Sequence, residues 1–128
     1  MTLEWIPAPM TVCQLKSIAG VDIDRPWTFI SRTDSELSLC CPTADAPDDT
    51  LSREDGWRMF RVAGQMPFTL TGVMARLSGA LARAGVPLYA LSTYDTDYIM
   101  VKADQAARAE AALIADGHTW LGRVTGTV

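Results

Sequence analysis

An α+β fold of order β-α-β-β-α-β, the ferredoxin-like arrangement, is predicted for the second half of the chain, and three observations carry it. Leu70, Val73, Met74, Leu77 and Leu81 recur at helical spacing and form one apolar stripe. Gly85 stands just past the last of them and Pro87 follows, a helix stop and then an extended start. Beyond it, the run LSTYDTDYIMV at 91–101 reads as strand, tight polar turn and second strand.

The remaining elements follow in order. Residues 57–62 form the strand before the helix and 86–93 the strand after it, with Leu88, Ala90 and Ser92 on one face. Tyr94, Asp95 and Thr96 make the turn into residues 98–101. Asp104 is the expected N-cap of an alanine-rich helix, its carboxylate accepting orphan backbone N–H groups. That helix runs to Ile114, Gly117 ends it, and residues 118–124 supply a last strand. Gly72, Ala75, Ser78, Gly79 and Ala82 leave the other faces of the first helix small, a pattern suited to close packing against another backbone or to a solvated face.

The first half reads as a reduced version of the same plan. Residues 11–19 form a candidate strand, and 27–32 with 37–41 a hairpin around Thr33, Asp34, Ser35 and Glu36. Where helices belong, only 20–26 and the Pro/Asp-rich stretch 42–55 are found, so at most short helical turns are expected there.

Composition excludes several classes. The chain has 128 residues, 48% of them apolar, enough for a packed core. No run approaches the roughly 18–20 apolar residues of a membrane span. The start, MTLEWIPAPM, lacks the basic opening and apolar run of a signal peptide, so a cytoplasmic protein is expected. A net charge of −4 offers no attraction to nucleic acid or acidic membranes. Trp57, Arg58, Phe60 and Arg61 faintly suggest an RNA-binding strand, but a buried Trp and Phe is the commoner arrangement.

Cys13, Cys40 and Cys41 lack the C-x-x-C spacing of a metal or redox loop. They read as buried, reduced thiols, with Cys40 and Cys41 not linked to each other. His118 is the one histidine, placed to interact with the carbonyl end of the second helix; no nucleophile elbow, P-loop or zinc spacing is present, and no cofactor is expected. Met66, Met74 and Met100 are expected to fill core gaps. Asp45, Asp48, Asp49, Glu54 and Asp55 read as a solvated surface. Asp97 begins a strand; it either bonds backbone N–H groups across the turn or receives a ligand's cation.

A strand, Gly64, a short loop, Gly72-Val73 opening a helix, Ala84-Gly85 closing it, and the STYDTDY segment together resemble the ACT domains. The likeness is greatest to the tandem-ACT group related to aspartokinase regulatory domains and the CASTOR arginine sensors. It covers the second half well and the first by analogy. The resemblance implies ACT-like units in tandem, residues 1–55 degenerate and 56–128 complete. It implies a non-enzymatic regulatory protein binding an amino acid or similar small metabolite between units. The implied ligand residues are Gly64, Gln65, Met66, Pro67, Phe68, Thr69, Ser92, Thr93 and Asp97, and a homodimer is implied as well. The alternatives are a protein-interaction module built on the same fold and an enzyme of unrecognised type.

Overall fold

A computed structural model of the chain describes residues 1–63 and 72–124. Seven strands are described: β1 (Thr2–Gln14), β2 (Phe29–Arg32), β3 (Leu37–Pro42), β4 (Ser52–Val62), β5 (Tyr89–Ser92), β6 (Asp97–Lys102) and β7 (Thr119–Trp120). Two helices, α1 (Val73–Arg83) and α2 (Ala106–Ala115), and 3-10 turns at Thr43–Asp45 and Ala103–Gln105 complete an α+β fold. The chain forms two compact units, one of Met1–Pro7 with Arg58–Val128 and one of Ala8–Trp57. The long strands β1 and β4 contribute residues to both.

In the unit that carries the helices, the strand order is β7-β1-β4-β6-β5. β5 and β6 pair antiparallel from Tyr89↔Met100 to Ser92↔Asp97, while β7 pairs parallel to β1 at Thr2↔Thr119 and Leu3↔Trp120. Side chains alternate across the sheet, so Phe60 and Val62 of β4 share a face with Ile99 and Val101 of β6. Onto that face α1 packs Val73, Leu77, Ala80 and Leu81, and α2 packs Ala106, Ala109 and Leu113. Met59 and Met100, on the opposite face, are also fully buried. Trp5 stacks on Trp120 with centroids 4.9 Å apart, and Phe60 meets both rings edge-on.

Both helices end as their glycines dictate. Gly85 and Gly117 take left-handed φ of 74° and 96°. The N–H of Gly85 bonds Ala82 O and that of Val86 bonds Leu81 O; Gly117 and His118 repeat the pattern onto Ile114 and Leu113. Each pair is a Schellman motif, which satisfies carbonyls the helix leaves orphaned.

Several expectations change. The first strand begins at Thr2 rather than residue 11; Pro7 and Pro9 fall between the stretch paired to β7 and the stretch Met10–Gln14 paired to β3, where neither ladder needs their missing N–H. The last strand shrinks to Thr119–Trp120, because the chain bends at Gly122 (φ 82°) and Val124 N–H donates to Glu110. Asp104 is not the N-cap of α2. It lies in the preceding 3-10 turn, and Gln105 holds the cap position without a side-chain bond. β5 is shorter than residues 86–93, since Val86 is spent closing α1. Leu70 and Met66 lie outside the described residues, whereas Met74 is half-buried against the core and Met100 fills it.

The other unit orders its strands β2-β3-β1-β4 and holds no α-helix. Its core is Cys13, Leu15, Leu37, Leu39 and Cys41, covered by Val21 and Ala46 from loops. Thr11 is buried and donates to Asp55 at 2.6 Å, with the Thr43 hydroxyl 2.8 Å away, so Asp55 is more than a solvated charge. The hairpin β2–β3 and its 3-10 turn, beginning at Phe29, Leu37 and Thr43, recur at Tyr89, Asp97 and Ala103, each 60 residues later. Both turns close alike, Thr33 N–H on Glu36 O and Thr93 N–H on Thr96 O, each at 2.9 Å.

Among the described residues, no backbone packs against the small face of α1 at Gly79. A Cβ built on Gly79 would meet only the end of the Arg83 side chain, at 3.3 Å. Ala75, Ser78, Gly79 and Ala82 open instead, with residues 85–88, onto a shallow groove of about 670 Å³. Gly79→Ala is therefore expected to stabilise the protein by about 0.5–1 kcal/mol through helix propensity. Gly85→Ala is expected to destabilise it by about 1–2 kcal/mol, because alanine must enter the left-handed region. Leu81→Ala, which empties a fully buried site, is expected to cost about 2–5 kcal/mol. Urea unfolding of the three variants checks the signs and their order.

Candidate functional site

The polar hairpin β5–β6 presents the residues singled out from sequence. Ser92 and Asp97 are the last cross-strand pair before the turn, and Ser92 Oγ–H donates to Asp97 Oδ1 at 2.7 Å. Asp97 does not cap the turn. Thr93 does that work, its hydroxyl 3.2 Å from Thr96 O and accepting the Thr96 N–H at 3.4 Å. The bland role expected of Asp97 thus belongs to Thr93. Asp97 itself is half-buried, and among the described residues only Ser92 hydrogen-bonds its carboxylate.

Thr96, not distinguished in the sequence, proves decisive for placement. It is buried, and its hydroxyl donates to Val62 O at 3.2 Å. Val62 ends β4, so this bond fastens the hairpin to the point where the chain enters residues 64–71. Ala63 N–H is held on Thr2 O at 2.9 Å at the same point. Gly64, Gln65, Met66, Pro67, Phe68 and Thr69 lie outside the described residues. At the far end, Gly72 adopts φ 78°, a left-handed entry to α1 that glycine takes without strain. Among the described candidates, Ser92, Thr93 and Asp97 therefore stand together on one hairpin, anchored at the root of the glycine loop.

The sequence offered no signal for Thr96, because a turn threonine facing inward looks like any other. Most of the faint RNA-like set resolves into packing: Phe60 is 1% exposed and Arg58 7%, while Trp57 is half-buried.

The remaining titratable groups have structural explanations. All three cysteines are free and buried. Burial pushes the Cys40 thiol up to about 12 and Cys41 up to about 11, and raises Cys13, so none is a ready thiolate. His118 is buried behind the end of α2, with Nε2 3.1 Å from Asp116 Oδ2 and Nδ1 3.1 Å from the Met1 amino nitrogen. Burial, then the positive charges of that amino group and Arg76, lower its pKa against the pull of Asp116. Partial burial works upward on Asp116, but hydrogen bonds from His118 and Arg76 outweigh it and hold the carboxyl below its ordinary value. Arg83 also reaches Asp116, at 3.4 Å, tying α1 to the end of α2.

A histidine with a lowered folded pKa takes up its proton more readily once unfolded. Its share of stability is therefore complete above the ordinary value near 6.5 and falls away as pH drops through that value toward the folded one. The parent is expected to lose stability between pH 7 and 5 more steeply than His118→Gln, as measured by urea unfolding across that range. Native thiols are expected to resist an aromatic disulfide reagent at pH 8 and to react together in urea.

A family model described as ACT domain matches residues 52–115. A segment of 56 residues, 43% of this chain, is 38% identical to the human protein named cytosolic arginine sensor for mTORC1 subunit 1. The rat protein of that name is 37% identical over 57 residues, and the chain spans 17% of the length of these relatives. Among solved structures, Atu0741 from Agobacterium tumefaciens is similar with a TM-score of 0.85 and 26% identity, over 97% of this chain and 94% of that one. VC0802 from Vibrio cholerae gives 0.70 at 17% identity, covering 87% and 85%. The regulatory subunit of aspartate kinase from Thermus thermophilus gives 0.58 at 10%, covering 85% and 93%. The last two likenesses are of fold alone. With half of its length matched by the family model and the α+β architecture to go with it, the chain belongs to the ACT domain family.

Proposed function

We propose that the chain is a non-enzymatic regulatory protein that binds an amino acid or similar small metabolite at the hairpin β5–β6 and the adjoining glycine loop. The observation that carries this reading is the Thr96–Val62 bond, which ties the residue before Asp97 to the last residue of β4. Asp97 supplies a half-buried acceptor for an ammonium or guanidinium group, with Ser92 orienting one of its oxygens. Backbone N–H groups of the glycine loop, from Gly64 to Thr69, would cradle the ligand's carboxylate as in other anion-binding nests. The arginine-sensor relatives favour a cationic amino acid as the first ligand to test.

We further propose two ACT-like units in tandem, residues 1–55 without helices and 56–128 with them. The hairpin repeated at a spacing of 60 residues supports this division. In this reading the protein is cytoplasmic and homodimeric, and the ligand lies against a neighbouring ACT unit. The open small-residue face of α1 favours a second reading, in which the fold serves as a scaffold for a protein partner.

A thermal-shift screen against the common amino acids separates the two. A ligand that binds only the folded state adds about 2.7 kcal/mol at a hundredfold excess over Kd. A shift with arginine or another amino acid supports sensing; none with any of them favours the scaffold. For the best ligand, Asp97→Ala is expected to weaken binding at least tenfold, about 1.4 kcal/mol, in calorimetric titration. Asp95→Ala, at the turn tip, is expected to change affinity less than threefold. Equal affinity of Asp97→Ala and parent would remove Asp97 from the site.

A further inference from the structure

The two hairpins share a backbone plan and differ in chemistry at the pair on which the proposed site depends. β2–β3 and β5–β6 begin 60 residues apart and close with the same turn bond. The cross-strand pair beside that turn is Ser92↔Asp97 in one and Arg32↔Leu37 in the other, at matching register. Side chains of such a pair lie on one face of the ladder. In β5–β6 that face carries a half-buried carboxylate with a hydroxyl donating to it. In β2–β3 the carboxylate's place is held by Leu37, 6% exposed and packed with Cys13, Leu15, Leu39 and Cys41. The hydroxyl's place is held by Arg32, an exposed and permanent cation. The tie is exchanged as well: the counterpart of Thr96, whose hydroxyl reaches Val62 O, is Glu36. Glu36 is exposed and accepts from the Ser38 hydroxyl at 2.9 Å.

From these exchanges, and on the reading of Asp97 as the ligand's acceptor, we infer that the chain has a single cation-binding hairpin, β5–β6. Leu37 and Arg32 close β2–β3 to cationic amino acids. The reason lies in the core of the unit Ala8–Trp57, which has no α-helix over its sheet and uses Leu37 as one of its few large apolar side chains. A carboxylate in that place would be buried among apolar groups, where an unpaired charge is costly. Arg32 adds a repelling charge to the same face. The carboxylate that β2–β3 does keep, Glu36, faces water, and an exposed carboxylate holds a cation only weakly.

Equilibrium dialysis of the full chain against radiolabelled L-arginine, and separately L-lysine, counts the sites. No more than one equivalent per chain is expected at saturation. Asp97→Leu, which copies β2–β3 into β5–β6, is expected to weaken binding about tenfold or more and to leave no second set of sites. Asp97→Asn, closer in size, serves if the leucine variant fails to fold, with the same expectation. Arg32→Ser is expected to leave the count at one, because Leu37 still offers no acceptor. A second equivalent, in the parent or in Arg32→Ser, that persists when Asp97 is replaced overturns the single site and leaves amino-acid binding standing. Retention of neither amino acid, or one equivalent whose affinity is unchanged by both Asp97 substitutions, overturns the reading of Asp97 and the single site with it.

Discussion

A buried carbonyl at the end of β4 ties the polar hairpin to the rest of the sheet. Val62 O sits where the strand gives way to the glycine loop, and a buried backbone acceptor without a donor is costly. The Thr96 hydroxyl supplies that donor from the turn of β5–β6. One hydrogen bond thereby joins two segments more than thirty residues apart in sequence, the turn residue before Asp97 and the end of β4. Thr93 closes the turn, and Asp97 accepts from Ser92 across the strand pair instead.

Around this tie the molecule is built by alternation. Each strand residue facing the helices is matched by one facing away, so Phe60, Val62, Ile99 and Val101 build one core while Met59 and Met100 are buried on the other face. Alanines at 106 and 109 let α2 lie close to the sheet, and leucines at 77 and 81 fill the space under α1. The aromatic group of Trp5, Phe60 and Trp120 packs with these residues, and the Arg58 guanidinium lies 5.6 Å from the centre of the Trp5 ring. The helices of one unit have only loops as counterparts in the other, whose small cysteine- and leucine-lined core needs less cover.

What the sequence displayed plainly was whatever depended on local chemistry. The stripe from Val73 to Leu81, the closing Gly85 and Gly117, and the hairpins at Thr33 and Thr93 all follow from spacing and turn residues, and the structure has each of them. The sequence hid what depended on distant partners. Pro7 and Pro9 disguised the start of β1, since only the pairing shows that both lie outside the ladders to β3 and β7. Asp104 looked like a cap because a 3-10 turn before α2 leaves no local signature. Thr96 and Arg58 matter through what they face. Of the paired residues in the repeated hairpins, only Thr33 and Thr93 are identical, so the 60-residue repeat is written in backbone geometry rather than in sequence.

If hairpin and glycine loop act as one amino-acid site, both must respond to its ligand together. Amide chemical shifts recorded while arginine, or the best ligand of the screen, is titrated into the ¹⁵N-labelled protein test it most directly. Saturable shifts with one shared Kd at Gly64, Thr69, Ser92 and Asp97, and little change at the far ends of α1 and α2, are the predicted result. Saturable shifts confined to other surfaces, or hairpin and loop responding with different affinities, would contradict it.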